Sequence, residues 1–139
     1  MTCGEYICDC LVRKGINTIF GIPGTQSVSF FECIRRSPLR TILTSSEFSA
    51  TLAANGYYRS SGKPAASISI QGPGFTLAST GLAEALHDSV ALIHLLVKSP
   101  DTTDKTFGLQ EIDHREAASS ITKGYIEISK RREVAEKIS

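Results

Sequence analysis

Four apolar runs of strand length recur along the chain, each but the last followed within a few residues by a segment with helical periodicity. They are Asn17 to Ile22 (NTIFGI), Arg40 to Thr44, Pro64 to Gln71 (PAASISIQ) and Val90 to Val97 (VALIHLLV). Helical segments are expected from near Gly4 to Lys14, with Gly15 as the stop, and from Ser27 to Arg36. A third begins at Glu47 behind a Ser45 or Ser46 cap and runs through Phe48, Leu52 and Ala53 towards Tyr57, and an Ala-rich fourth covers Phe75 to Asp88. Alternation of this kind, with short connections, implies a parallel sheet covered by helices.

The expected fold is therefore α/β, a doubly wound, flavodoxin-like and mostly parallel sheet with helices on both faces. A chain of 139 residues is the size of one such domain. The nearly all-apolar run VALIHLLV reads as a central strand, buried on both sides. Beyond it, Ser99 to Asp113 is polar and aperiodic and is expected to cross one end of the sheet. A short Ala-rich segment, a possible fifth strand at GYIEI and a helix from near Lys130 follow. That last helix has Val134 and Ile138 four apart and no glycine cap before Ser139, which leads us to expect a piece of a longer protein.

Charge excludes some partners. With 15 Lys and Arg against 14 Asp and Glu, the formal charge is +1, and no basic stripe marks a nucleic-acid or anionic-membrane surface. Lys130, Arg131 and Arg132 read as a solvated helix start. No apolar run approaches ~18 residues and no signal-peptide layout opens the chain, so a cytoplasmic location is expected. Cys3, Cys8, Cys10 and Cys33 lack metal or redox spacing and sit among Leu, Val and Ile, as buried thiols in a reducing compartment do.

In a parallel sheet the loops after the strands gather at one edge, where open α/β folds bind ligands. Here those loops carry Pro23-Gly24, Ser46-Glu47 and Gly72-Pro73-Gly74, so a lone carboxylate and a glycine turn should face one crevice. Other chemistries fare worse. GIPGTQS lacks the Lys-Ser/Thr pair of a phosphate-binding loop, and QGPGFT is not a dinucleotide fingerprint. Ser45, His87, Asp88, His94 and His114 lack the G-x-S-x-G elbow of a hydrolase, and His94 reads as a satisfied core residue. Asp101, Asp104, Glu111 and Asp113 lack the spacing of a calcium loop.

Taken together, GINTIFGIPGTQSVSFFECI, SSEFSATLAANGYYRSSGKPA, SIQGPGFTLASTGLAEALHDSV and GLQEIDH resemble the N-terminal pyrimidine-binding domain of thiamine-diphosphate enzymes of the acetolactate synthase type. The resemblance runs from Glu5 to Ile138. It implies that Glu47 hydrogen-bonds N1′ of the cofactor's aminopyrimidine, with Pro23 and Gly24 beside that ring. Gly72, Pro73 and Gly74 would form a wall of the same pocket, and Gln110 would lie on the substrate side. By sharing a proton with N1′, Glu47 would favour the imino tautomer, whose 4′-nitrogen takes the proton from thiazolium C2.

The resemblance also implies partners. The family binds the diphosphate through Mg²⁺ on a separate domain with a Gly-Asp-Gly motif, which this chain does not contain. A diphosphate-binding domain or subunit, and a homodimer through the pyrimidine-domain helices, are therefore expected. Small residues in the helices after Glu47 and Gly74 (Ala50, Ala53, Ala54, Gly56; Ala78, Gly81, Ala83, Ala85) suit either that interface or close packing within the chain. Ser46, Leu77, Ala91 and Val97-Lys98 depart from residues frequent in the family and bear on the substrate more than on the fold. Leu77, Ala91 and the missing Gly-Asp-Gly support an alternative reading, a non-catalytic assembly module that keeps the fold.

Overall fold

The computed structural model describes residues 1–99, 109–128 and 131–138. The chain runs α1 (Cys3–Arg13), β1 (Thr18–Gly21), α2 (Val28–Arg35), β2 (Arg40–Leu43), α3 (Glu47–Ser61), β3 (Ala65–Ile70), α4 (Pro73–His87), β4 (Leu92–Val97), α5 (His114–Ala118) and α6 (Arg131–Ile138). A single 3₁₀ turn, Thr25–Ser27, precedes α2. All four described strands pair in parallel, in the order β2-β1-β3-β4. The doubly wound α/β fold expected from the alternation is the fold observed.

Local chemistry sets most of the boundaries. Thr2 opens α1 with a capping box, its hydroxyl accepting the Glu5 N–H at 3.2 Å while Glu5 Oε2 accepts the Thr2 N–H at 2.7 Å. Ser46 caps α3 through the Ser49 N–H, and Gly62 ends that helix in the left-handed conformation at φ 68°. Pro73 occupies the first turn of α4, where its missing N–H leaves no helical bond unmade.

Successive strand residues face opposite sides, and the two sides are built differently. On one, Ile16, Ile19, Ile34, Leu39 and Ile68 pack with Cys8 and Leu11 beneath α1 and α2. Burial pushes the Cys8 thiol up to about 11, which suits an inert packing group. On the other, Phe20 and Ala65 meet Ala50 and Ala54 of α3, and α4 packs beside α3. A Cβ at Gly81 of α4 would run into the Thr51 hydroxyl of α3, so the two helices touch where glycine permits it. Ala50, Ala54, Ala78 and Ala85 are buried as well. Gly81 and these four alanines are thus used inside the chain, whereas Ala53 and Ala83 are half-buried and Gly56 is exposed.

Two expectations need correction. Among the described residues β4 is an edge strand, and most of it is only partly buried. Its apolar run reflects cover by Phe75, Ile121 and Tyr125 on one face, where these pack with Leu92 and Leu96, rather than a strand on each side. The segment 124–128 forms no strand. Its side chains serve other partners: Tyr125 joins that apolar cluster, and Glu127 Oε1 accepts from Lys98 Nζ at 3.2 Å while its backbone carbonyl accepts from Lys137 Nζ at 2.7 Å. No described helix is long and apolar enough to cross a membrane.

Candidate functional site at the carboxyl edge of the sheet

The chain leaves β1 for β2 on one side, then crosses to β3 and β4 on the other, so the direction of winding reverses between β1 and β3. Such a switch point opens a crevice at the carboxyl ends of the strands. The Pro23-Gly24 turn leaves β1 there and Gly72 leaves β3, while Glu47 begins the helix that follows β2.

Glu47 is placed by its neighbours. Thr44 Oγ1 donates to the Ser46 carbonyl at 2.9 Å, and the Ser46 cap fixes the first turn of α3. The carboxylate leans over the start of α4. A Cβ at Gly74 would lie 3.0 Å from Glu47 Oε1 and 2.9 Å from Ile70 Cγ1. On the other side of Ile70, a Cβ at Gly24 would lie 2.8 Å from Ile70 Cγ2. Gly24, Ile70, Gly74 and Glu47 therefore form one cluster, an apolar floor flanked by two bare backbones with a carboxylate at its edge. Residues with side chains at 24 or 74 would have to displace that floor.

This cluster suits a flat heteroaromatic ring. The ring's faces need apolar contact and close backbone, and a ring nitrogen needs one hydrogen-bonding carboxyl group. Gly24, Ile70, Gly74 and Glu47 offer those features. Pro23 and Pro73 are both exposed on the rim.

Gln110 is brought to the same edge, but to Gly72 rather than to Glu47. Gly72 has φ 62°, and a Cβ there would collide with the Gln110 carbonyl. Gln110 itself has φ 60°, and its Oε1 accepts from Gln26 Nε2 at 3.5 Å. Gln71 ties the surroundings together: its Nε2 donates to the Leu109 carbonyl at 2.6 Å, and its Oε1 accepts the Ser99 N–H at 3.0 Å.

The histidines resolve differently from a triad. His94 on β4 lies between Ser67 Oγ, 2.8 Å from Nδ1, and Ser69 Oγ, 2.9 Å from Nε2. A neutral ring satisfies both serines, donating to one and accepting from the other, and burial lowers its pKa to about 4. His114 accepts the Gly72 N–H through Nε2 at 2.9 Å, and His87 is exposed in the last turn of α4. Among the described residues no group of His, Cys, Asp and Glu could hold a metal ion; Asp101 and Asp104 lie outside them.

Sequence reasoning missed Ile70, Gln71 and Gln26 as site residues, and considered His114 only for a hydrolase triad. Ile70 and Gln71 had a usable signal, as the last residues before the Gly72 turn. His114 had none, since its partner lies 42 residues away.

Fold and crevice together define a parallel α/β domain with an apolar, glycine-flanked cluster beside a carboxylate at the switch point of its sheet. The chain belongs to the family described as thiamine pyrophosphate enzyme, N-terminal TPP binding domain, whose model matches residues 1–129. Among its relatives, a chloroplastic acetolactate synthase of Arabidopsis thaliana is 38% identical over 120 residues, 86% of this chain and 18% of the relative. A probable acetolactate synthase large subunit of Methanocaldococcus jannaschii is 36% identical over 132 residues, 95% of this chain and 22% of the relative. A probable 2-ketoarginine decarboxylase of Pseudomonas aeruginosa is 38% identical over 93 residues, 67% of this chain and 17% of the relative. The chain thus spans about a fifth of the length of these relatives.

Proposed function

We propose that this chain is the pyrimidine-binding domain of a thiamine-diphosphate-dependent 2-oxo acid carboligase or decarboxylase, with Glu47 as the residue that activates the cofactor's aminopyrimidine. The observation that carries the reading is the Glu47 carboxylate over Gly74 and Ile70 at the switch point. When bound, the cofactor supplies a stabilised carbanion for chemistry next to a carbonyl. This chain's part is narrower. Glu47 would hold a proton at the ring nitrogen it faces, Ile70 and the bare backbones of Gly24 and Gly74 would fix the ring's plane, and Pro23, Gly72 and Pro73 would line the approach. Gln110, beside Gly72, would face the substrate.

The reading places the diphosphate and its Mg²⁺ on another domain or subunit, and the domain in a cytoplasmic or otherwise reducing compartment. It also includes a homodimer. Phe48 and Leu77, 41% and 49% exposed, stand near the starts of α3, which Glu47 begins, and α4, which Glu47 meets at Gly74. Apolar groups at the mouth of a crevice support its completion by a second subunit.

The test is Glu47→Gln in the full-length protein carrying this domain, read by deuterium exchange at cofactor C2. Exchange should fall by about 10²-fold or more, the usual share of one general acid–base group. Exchange at the wild-type rate would instead favour the module that keeps the fold without the catalysis.

A further inference from the structure

The turn between β3 and α4 is fastened from outside by a stretch of chain some forty residues further on. The Gly72 N–H donates to His114 Nε2 at 2.9 Å, and His114 is 2% exposed. The imidazole also meets Phe75 of α4 edge to face, with centroids 5.6 Å apart and planes at 83°. Asp113 caps α5 through the Glu116 N–H at 2.9 Å, which fixes where the His114 side chain starts. At the other end of the arm, Gln71 Nε2 holds the Leu109 carbonyl. Residues 109–114 are thus pinned at both ends across Gly72, with Gln110 between the pins.

We propose that His114 is a positioning residue: as a neutral imidazole accepting the Gly72 amide proton, it locks the glycine turn that presents Gly74 to Glu47 and keeps Gln110 at the rim. This rests on the reading of Glu47 as the cofactor's pyrimidine partner.

The chemistry dictates the tautomer. A backbone N–H only donates, so Nε2 must be unprotonated and the ring proton must sit on Nδ1. That Nδ1 is buried and has no hydrogen-bond partner among the described residues. Imidazolium carries a proton on both nitrogens, so protonation turns the Gly72 contact into two donors facing each other. The charged and titratable groups around the ring are Lys98 at the end of β4, Glu111 and Asp113 on the arm, Arg115 of α5, and Tyr125 and Glu127 on the segment 124–128. Burial, aided by Lys98, holds the His114 pKa below the ordinary histidine range against the pull of those carboxylates, so the lock stays closed at neutral pH.

Two measurements on the ¹⁵N-labelled chain test the lock itself. Long-range ¹H–¹⁵N correlation should show the Nδ1–H tautomer for His114, and an Nε2–H tautomer would overturn the proposal. Amide exchange at Gly72 should rise about tenfold in His114→Phe, the loss expected of one hydrogen bond. In His114→Gln, whose Oε1 reaches the place of Nε2, it should return close to the wild-type rate. Equal exchange in all three proteins would also overturn it. If the Phe variant does not fold, the wild-type tautomer and the Gln variant still decide.

A third measurement reaches the site. In the full-length protein carrying this domain, His114→Phe should raise the KM for thiamine diphosphate about tenfold, and His114→Gln should restore it. An unchanged KM alongside lost amide protection would overturn the positioning role. If Glu47→Gln leaves C2 exchange intact while the tautomer and protection results hold, the Glu47 reading fails and the Gly72 lock stands.

Discussion

The two faces of the sheet solve opposite problems. The face under α1 and α2 is filled by branched aliphatic side chains, with Ile16, Ile19, Ile34 and Ile68 almost wholly buried. The face under α3 and α4 buries Ala50, Ala54, Ala65 and Ala78 together with Thr51, Asn55, Ser67 and Ser69. Large apolar groups maximise the surface removed from water. Small and hydroxylated ones give up part of that gain so that two helices approach each other closely. The close approach matters because Glu47 starts α3 and Gly74 lies in the first turn of α4. The aliphatic side thus carries much of the burial of large side chains, while the α3–α4 side brings Glu47 up to Gly74, and Ile70, in phase with Ile68 along β3, joins the two.

The sharpest break of that contrast is a truncation on the aliphatic side. Ile68→Ala should cost about 2 to 5 kcal/mol in denaturant unfolding, since Ile68 is 1% exposed and its neighbours close in only partly. Its removal should leave the Glu47 cluster comparatively undisturbed. A matching cost from Ser67→Ala, one residue away on the opposite face, would dissolve the distinction.

A smaller effect is expected from adding volume on the other side. Gly81→Ala should cost about 1 to 3 kcal/mol, because the new methyl meets Thr51 at the α3–α4 crossing. Combining it with Thr51→Ala, which removes the hydroxyl that the new methyl meets, should recover part of the loss, as residues in direct contact couple non-additively. Strict additivity in that cycle would show that the helices do not meet as described.

An effect absent at neutral pH, and comparable to the last only in acid, comes from titration. His94 lies among the polar residues of the α3–α4 face, with a pKa of about 4 against about 6.5 when unfolded. Above pH 6.5 both states are neutral and nothing is gained or lost. Between 6.5 and 4 the unfolded chain takes up the proton first, so folding stability falls with acidification, by about 2 kcal/mol at pH 5. His94→Asn should flatten that slope without shifting stability at pH 8 in the same proportion. An unchanged slope would place the titration elsewhere, with His114 the next group to examine.

Much of the site was legible because its signals are local. A serine followed by Glu47 before a helical segment, and Gly72-Pro73-Gly74 after a strand, need only the alternation around them to be placed at one edge. The status of β4 was not legible. VALIHLLV reads as buried on both sides, yet its cover comes partly from Ile121 and Tyr125, far along the chain. For the same reason GYIEI carries the composition of a strand while Tyr125 and Glu127 are taken up by side-chain partners. The small residues of α3 and α4 fit two destinations equally well, and Thr51 against Gly81 shows that some of them serve close packing within the chain.

What the sequence by itself determined is the succession of strands and helices, their capping and turn residues, and the edge at which Pro23, Gly24, Glu47 and the Gly72 turn would gather. Those follow from periodicity and backbone preference, which act over a few residues. Only the tertiary structure decided that Ile70 is the floor shared by Gly24 and Gly74, that Gln110 rests on Gly72, and that His114 holds the Gly72 amide. Each of these joins groups brought together by chain crossings, and no local pattern encodes which distant atom will fill a given donor or gap.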